Sequence, residues 1–191
     1  MITVHALKRF VPIVSLLFVA GCGYNTIQTY DEQVNAAASQ IKVQLQRRAD
    51  LIPNLVETVK AYAKQEQTVF TEVSEARAKL AGAVQSGDLQ QMAQANAQLT
   101  APLGRLLAIA ENYPQLKSNE NFRALQDQLE GTENRIAVAR QDYNEAVNRY
   151  NAYIRRFPQV LTAKVLGKGS RPYFELETPG AAQVPKVDFS K

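Results

Sequence analysis

Arg47 to Lys60 reads RRADLIPNLVETVK, and the placing of Pro53 within it decides the fold. Apolar residues at helical spacing run up to it through Tyr30, Val34, Ala37, Ile41 and Leu45. They run away from it through Leu55, Val59, Tyr62, Val69, Val73, Ala76 and Leu80. A proline inside a helix lacks the N–H that the carbonyl four residues earlier needs, and its ring crowds that turn, at roughly 3 kcal/mol. At a helix start it costs almost nothing. Two readings follow. The nearly continuous apolar phase supports one helix from Tyr30 to Leu80 kinked at Pro53, about 75 Å long at ~1.5 Å per residue. Asp50 as an N-cap would put Pro53 in a first turn, which supports two antiparallel helices with a tight turn near Ala49 to Ile52. The second is preferred, because the remaining helices are too short to cover so long a rod.

Downstream, Gly82, Ser86, Gly87 and Asp88 mark a turn. A further helix reads Leu89, Met92, Asn96, Leu99, Leu103, Leu106 and Ala110, with a kink or restart expected after Thr100 because Pro102 and Gly104 interrupt it. Glu111 to Pro114 ends it. Ser118 or Asn119 should cap the last helix, whose seam is Phe122, Leu125, Leu129, Thr132, Ile136, Ala139, Tyr143, Ala146, Tyr150, Tyr153 and Phe157. Its alternating intervals of three and four are those of a packed bundle or coiled coil. Pro158 stops it, and Val160 to Leu166 suggests one or two helical turns. The expected class is therefore all-α: an antiparallel up-and-down bundle of four helices, the first two merging if Pro53 is a kink. Residues 30–166 would form this domain, with 22–29 a short tether and 167–191 an extended or disordered tail.

The first 21 residues read as a secretory leader: Lys8 and Arg9, then the apolar run FVPIVSLLFVA, shorter than the ~20 residues a spanning helix needs. Val19-Ala20-Gly21-Cys22 has the form of a bacterial lipobox, in which small residues admit a signal peptidase and Cys22 takes a diacylglycerol. Acyl chains at ~0.8 kcal/mol per buried CH₂ would anchor the chain firmly. The other reading is a leader retained as a transmembrane anchor, with Cys22 incidental. Both place the bulk of the chain outside the cytoplasm, in the cell envelope. Gly23 rather than aspartate after the cysteine favours the periplasmic side of the outer membrane.

Composition removes most chemistry. Of 191 residues, the one histidine is His5 and the one cysteine is Cys22, both explained by targeting. Without them the mature chain can build no zinc site from His or Cys, no Cys–His pair and no Ser-His-Asp arrangement. No metal, cofactor or catalytic residue is expected. Gly167-Lys168-Gly169-Ser170 lacks the first glycine of a phosphate loop and the strand before it, and is a plain loop. Glu57, Glu66, Glu72 and Glu75 leave carboxylate-only catalysis open, but a solvated helix face explains them more simply. Lys and Arg number 22 against 18 Asp and Glu, and removing Lys8 and Arg9 with the leader leaves 20 against 18. So near-neutral and exported a chain is not a nucleic-acid binder.

As a set, Tyr24-Asn25, Val43-Gln44-Leu45, Arg47-Arg48, Asp50 to Val56, Tyr62-Ala63, Glu66, Glu75-Ala76-Arg77, Tyr143-Asn144, Tyr150-Asn151, Phe157-Pro158, Tyr173-Phe174 and Pro185 to Phe189 resemble the LemA family. The resemblance covers most of the mature chain. It implies an antiparallel helical bundle held on a bacterial membrane and names no reaction. A lipobox-like start departs from relatives that keep a spanning helix.

The residues singled out as a partner-binding or structural motif are Arg47, Arg48, Asp50, Pro53 and Asn54. The plainer reading has the arginines capping carbonyls near a turn and pairing with Asp50 or a carboxylate on a neighbouring helix. The sharper one makes them a site for an acidic partner or a lipid phosphate. Asn144 and Asn151 share a helix face and are expected to hydrogen-bond across to another helix. The expected function is a non-catalytic, membrane-tethered scaffold or adaptor, held by its N-terminal lipid or anchor and presenting a surface to an envelope protein. The alternative is an envelope sensor responding to a small ligand or ion, or a carboxylate-based enzyme.

Overall fold

The computed structural model describes residues 23–174. The leader, Cys22 and residues 175–191 lie outside them. The described residues are all-α, without a strand. The helices are α1 (Tyr24–Lys60), α2 (Gln67–Ser86), α3 (Leu89–Asn112), α4 (Pro114–Lys117), α5 (Glu120–Ile154) and α6 (Gln159–Val165). They divide into two compact units. Among the described residues, one holds 23–41 and 137–173; the other holds 42–136 and Phe174.

In the second unit both readings of Pro53 need correcting. There is no turn near Ala49 to Ile52: Pro53 lies inside α1, which runs unbroken from Tyr24 to Lys60. Nor does that helix reach Leu80. The acceptor that Pro53 cannot serve, the carbonyl of Ala49, takes a 3.1 Å hydrogen bond from Arg77 Nε on α2. With that carbonyl satisfied and the apolar stripe Ile52, Leu55, Val56 and Val59 buried on the far side of the proline, the helix continues. It stops instead over 61–66, where neither glycine nor proline occurs. That corner is tied from outside. Tyr62 Oη accepts from Asn119 Nδ2 at 3.1 Å, Gln65 Nε2 donates to Tyr113 Oη at 2.7 Å, and Ala63 is buried.

Helices α2 and α3 pack on each other across a short turn at Gly87 and Asp88. Asp88 caps α3 by accepting from the backbone N–H of Gln90 and Gln91 at 2.8 and 3.2 Å. Gly82 is not part of that turn but lies within α2. Nor does α3 restart after Thr100: Pro102 sits inside one helix whose buried face includes Met92, Asn96, Leu99, Leu103 and Leu106. Asn119 caps α5, its Oδ1 accepting from the Phe122 N–H at 3.0 Å.

In the first unit α1 begins at Tyr24, ahead of the expected start at Tyr30, and Ile27 is fully buried. Tyr30 meets Tyr153 edge to face, ring centroids 5.3 Å apart. Helix α5 ends at Ile154 rather than at Pro158, so Phe157 leaves the seam and is 79% exposed. Helix α6 ends in a paired cap: Lys168 N–H donates to Ala163 O at 2.9 Å and Gly167 N–H to Lys164 O at 3.2 Å. Gly167 there has φ +65°, which a Cβ would strain. The loop GKGS is thus a helix stop that delivers residues 168–173 as a strap along the unit.

Candidate functional site

The five motif residues do not form one cluster. Arg48 points inward and is 5% exposed; Arg47, Asp50, Pro53 and Asn54 lie on the exposed face of α1. Arg48 continues the buried line Ile41, Leu45, Ile52 and Leu55, so a guanidinium occupies a core position. Its Nη1 donates to Asn96 Oδ1 on α3 at 2.7 Å and pairs with Glu133 Oε2 on α5. One side chain thus ties three helices of the second unit. Burial pulls its pKa below the ordinary guanidinium value against the opposing pull of Glu133; the group remains charged across the working range. Its Nε and the Oε1 of Gln44, one helical turn earlier, are buried without a hydrogen-bond partner.

On the outer face, Asp50 Oδ1 accepts from Gln46 Nε2 at 2.8 Å, not from an arginine. The Asn54 carbonyl accepts from Thr58 Oγ1 at 2.8 Å, an ordinary helix contact. Of the four glutamates, Glu57 pairs with Lys60 at 3.1 Å and Glu72 with Arg105. Among the described residues no group of three or more His, Cys, Asp or Glu is placed to hold a metal ion.

A second polar centre lies in the first unit, and sequence reasoning missed it. Asp31, 6% exposed, occupies a core position between Ile27 and Val34 on α1. Lys168 Nζ reaches its Oδ2 at 2.6 Å, and Arg171 Nη2 and Nε reach its Oδ1 at 2.8 and 3.2 Å. Burial alone would raise the Asp31 pKa, but the hydrogen bonds and charges of Lys168 and Arg171 outweigh it and hold the carboxyl below the usual range. The same hydrogen bonds raise Lys168 and Arg171. Around this pair Asn151 holds the strap at two points: its Oδ1 accepts from the Arg171 N–H at 2.8 Å and its Nδ2 donates to the Arg171 carbonyl at 2.9 Å. Tyr143 Oη donates to the Pro172 carbonyl at 2.9 Å, and burial pushes that phenol's pKa up. Asn151 was expected to bridge to another helix; it clamps the strap instead. The readable signal was a charge on an apolar stripe: Asp31 and Arg48 each break the α1 line once.

Chemically, these centres join segments. Both buried charges are matched inside their own units; the buried amide of Asn96 bonds Arg48, and that of Asn151 holds the backbone of Arg171. The class so defined is an all-α packing protein whose polar residues hold helices and strap in register. Residues 37–189 match the LemA family, and the chain belongs to that family. Among its relatives, magnetosome proteins MamQ 1 and MamQ 2 of Paramagnetospirillum magneticum are each 30% identical over 202 residues, spanning 93% of this chain and 74% of theirs. Magnetosome protein MamQ of Magnetospirillum gryphiswaldense is 28% identical over 180 residues, spanning 82% of this chain and 66% of its own. No helix among the described residues is long and apolar enough to cross a membrane.

Proposed function

We propose that the protein is a non-catalytic helical scaffold of the bacterial cell envelope, tethered to a membrane through Cys22 on its periplasmic side. The observation that carries this reading is the use made of its buried charge. Asp31 and Arg48 are both spent on intramolecular pairs, which leaves the polar residues of the motif, Arg47, Asp50 and Asn54, on an outer helix face. A surface built this way presents rather than reacts. The relatives named as magnetosome proteins lend weight to a role within a larger assembly.

Two measurements test it. Mass spectrometry of the native N-terminus should find Cys22 as the acylated first residue, and an unprocessed leader would remove the tether. Photo-crosslinkers at Arg47 and Asn54 in living cells should capture one reproducible envelope protein; capture no different from that at an unrelated surface position would end the scaffold reading. The alternative, a small-ligand sensor, draws on the buried and unpartnered Gln44 Oε1 and Arg48 Nε. A thermal-shift screen with small acids, amides and divalent ions that moved the wild type and not Gln44→Leu would favour it.

A further inference from the structure

Of the large apolar side chains that stand exposed among the described residues, three fall within nine consecutive positions: Phe157 at 79%, Leu161 at 51% and Val165 at 87%. Scattered exposed apolar residues need no explanation. These are not scattered. They recur every fourth residue along α6 and the residues leading into it, while the opposite side of α6, Thr162 and Ala163, is buried. The helix therefore turns an apolar stripe outward.

Along the chain, the charge flanking the stripe has one sign. From Ala146 to Phe174 the chain carries Arg149, Arg155, Arg156, Lys164, Lys168 and Arg171 and no aspartate or glutamate. Lys168 and Arg171 are used by Asp31, whereas Arg155, Arg156 and Lys164 are exposed along the same stretch as the stripe. An apolar line rimmed by long basic side chains suits the boundary of an anionic phospholipid layer, where the rings and methyls enter the acyl region and the cations stay at the phosphates.

The position of Gly23 supplies the second argument. Gly23, next to Cys22, has φ +118°, and a Cβ there would lie 3.1 Å from both Gln159 Cγ and Tyr153 Oη. Gln159 is the first residue of α6. Gly23, which follows Cys22 in the sequence, thus lies beside this helix, and α1 starts at the next residue, Tyr24. A lipid on Cys22 would bring α6 to the membrane surface.

We propose that Phe157, Leu161 and Val165 form a bilayer-contacting face that lays the first unit on the anionic phospholipid surface beside its own anchor. The inference rests on the tether proposed above. The chain has no tryptophan, so a single one reports without background. Full-length Leu161→Trp, extracted with its native N-terminus, is reconstituted into phosphatidylglycerol–phosphatidylethanolamine vesicles with brominated acyl chains. The control is Val138→Trp, exposed on α5 and about 24 Å along that helix from Ile154 at ~1.5 Å per residue. The bromines should quench roughly half or more of the indole emission from Leu161→Trp and little of that from Val138→Trp. Adding Arg156→Glu and Lys164→Glu to Leu161→Trp should reduce its quenching; no change would overturn the part assigned to the basic rim.

Floating with the vesicles while neither reporter is quenched would overturn the face and leave the tether standing. A blue-shifted but unquenched indole in Leu161→Trp would show the stripe covered by protein instead, either the apolar leader or a second copy, and would equally overturn it. Failure of the wild type to float at all would remove tether and face together.

Discussion

Arg77 Nε donates to the carbonyl of Ala49, the acceptor four residues before Pro53. A side chain from α2 thus does the work of the backbone N–H that proline lacks, and α1 passes through its proline unbroken. A proline inside a helix costs about 3 kcal/mol, and a hydrogen bond from a charged donor returns about 1.5–3 kcal/mol of it. Replacing Arg77 by Met should destabilise the second unit by about 1–3 kcal/mol, because the Ala49 carbonyl is then left buried and unserved. Pro53→Ala supplies the missing N–H, so the loss from Arg77→Met should shrink in that background. Urea denaturation of the four proteins gives the coupling. Simple addition of the two effects would mean Arg77 acts elsewhere.

This pairing also shows where sequence reading reaches its limit. The all-α class, the turn at Gly87 and Asp88, the Asn119 cap and the α3 and α5 seams follow from spacing and capping chemistry, which are local. Whether Pro53 ends a helix does not, because the answer depends on a residue 24 positions away folding back to it. The corner at 61–66 is unreadable for the same reason: its tethers, Asn119 and Tyr113, lie far along the chain. The strap is a milder case. Its Gly-rich composition reads as a loose tail, and only the placing of Asp31 on a buried stripe hints that cations must come to meet it.

Arg48 and Glu133 are unequal partners: the guanidinium is buried and the carboxylate is half exposed. Removing the acid should therefore hurt more than removing the base. Glu133→Ala leaves a buried cation with only Asn96, at about 3–5 kcal/mol. Arg48→Met leaves a carboxylate that water can reach and an orphaned Asn96 amide, at about 2–3 kcal/mol. Adding Asn96→Leu to Arg48→Met should recover part of that loss. Thermal melts by circular dichroism give the order, and the reverse order would show that the pair is not what Arg48 contributes.

Acid should release the strap as Asp31 takes up its proton. The folded Asp31 carboxyl sits below its unfolded value, so its contribution is complete above about pH 3.9 and disappears as pH falls through the folded value. Below that range Lys168 and Arg171 face a neutral acid and each other. Amide NMR of Lys168 and Arg171 should record the transition, and Asp31→Asn should show it already complete at neutral pH, with about 1–2 kcal/mol lost. An unchanged acid transition in Asp31→Asn would assign it to other carboxylates.

The Asn151 amide meets both the N–H and the carbonyl of Arg171, a two-point grip that only a side chain with one donor end and one acceptor end can make. Asn151→Asp keeps the acceptor and loses the donor. Its carboxylate would be set against the Arg171 carbonyl in a site 4% exposed. Asn151→Leu loses both bonds but buries no charge. The aspartate variant should therefore be the less stable of the two at neutral pH and should recover as its carboxyl protonates, a slope opposite in sign to that from Asp31. Stability of both variants measured from pH 7 down to pH 5 separates these effects. An aspartate variant as stable as wild type at pH 7 would show that the strap is held by Asp31 and Tyr143 alone.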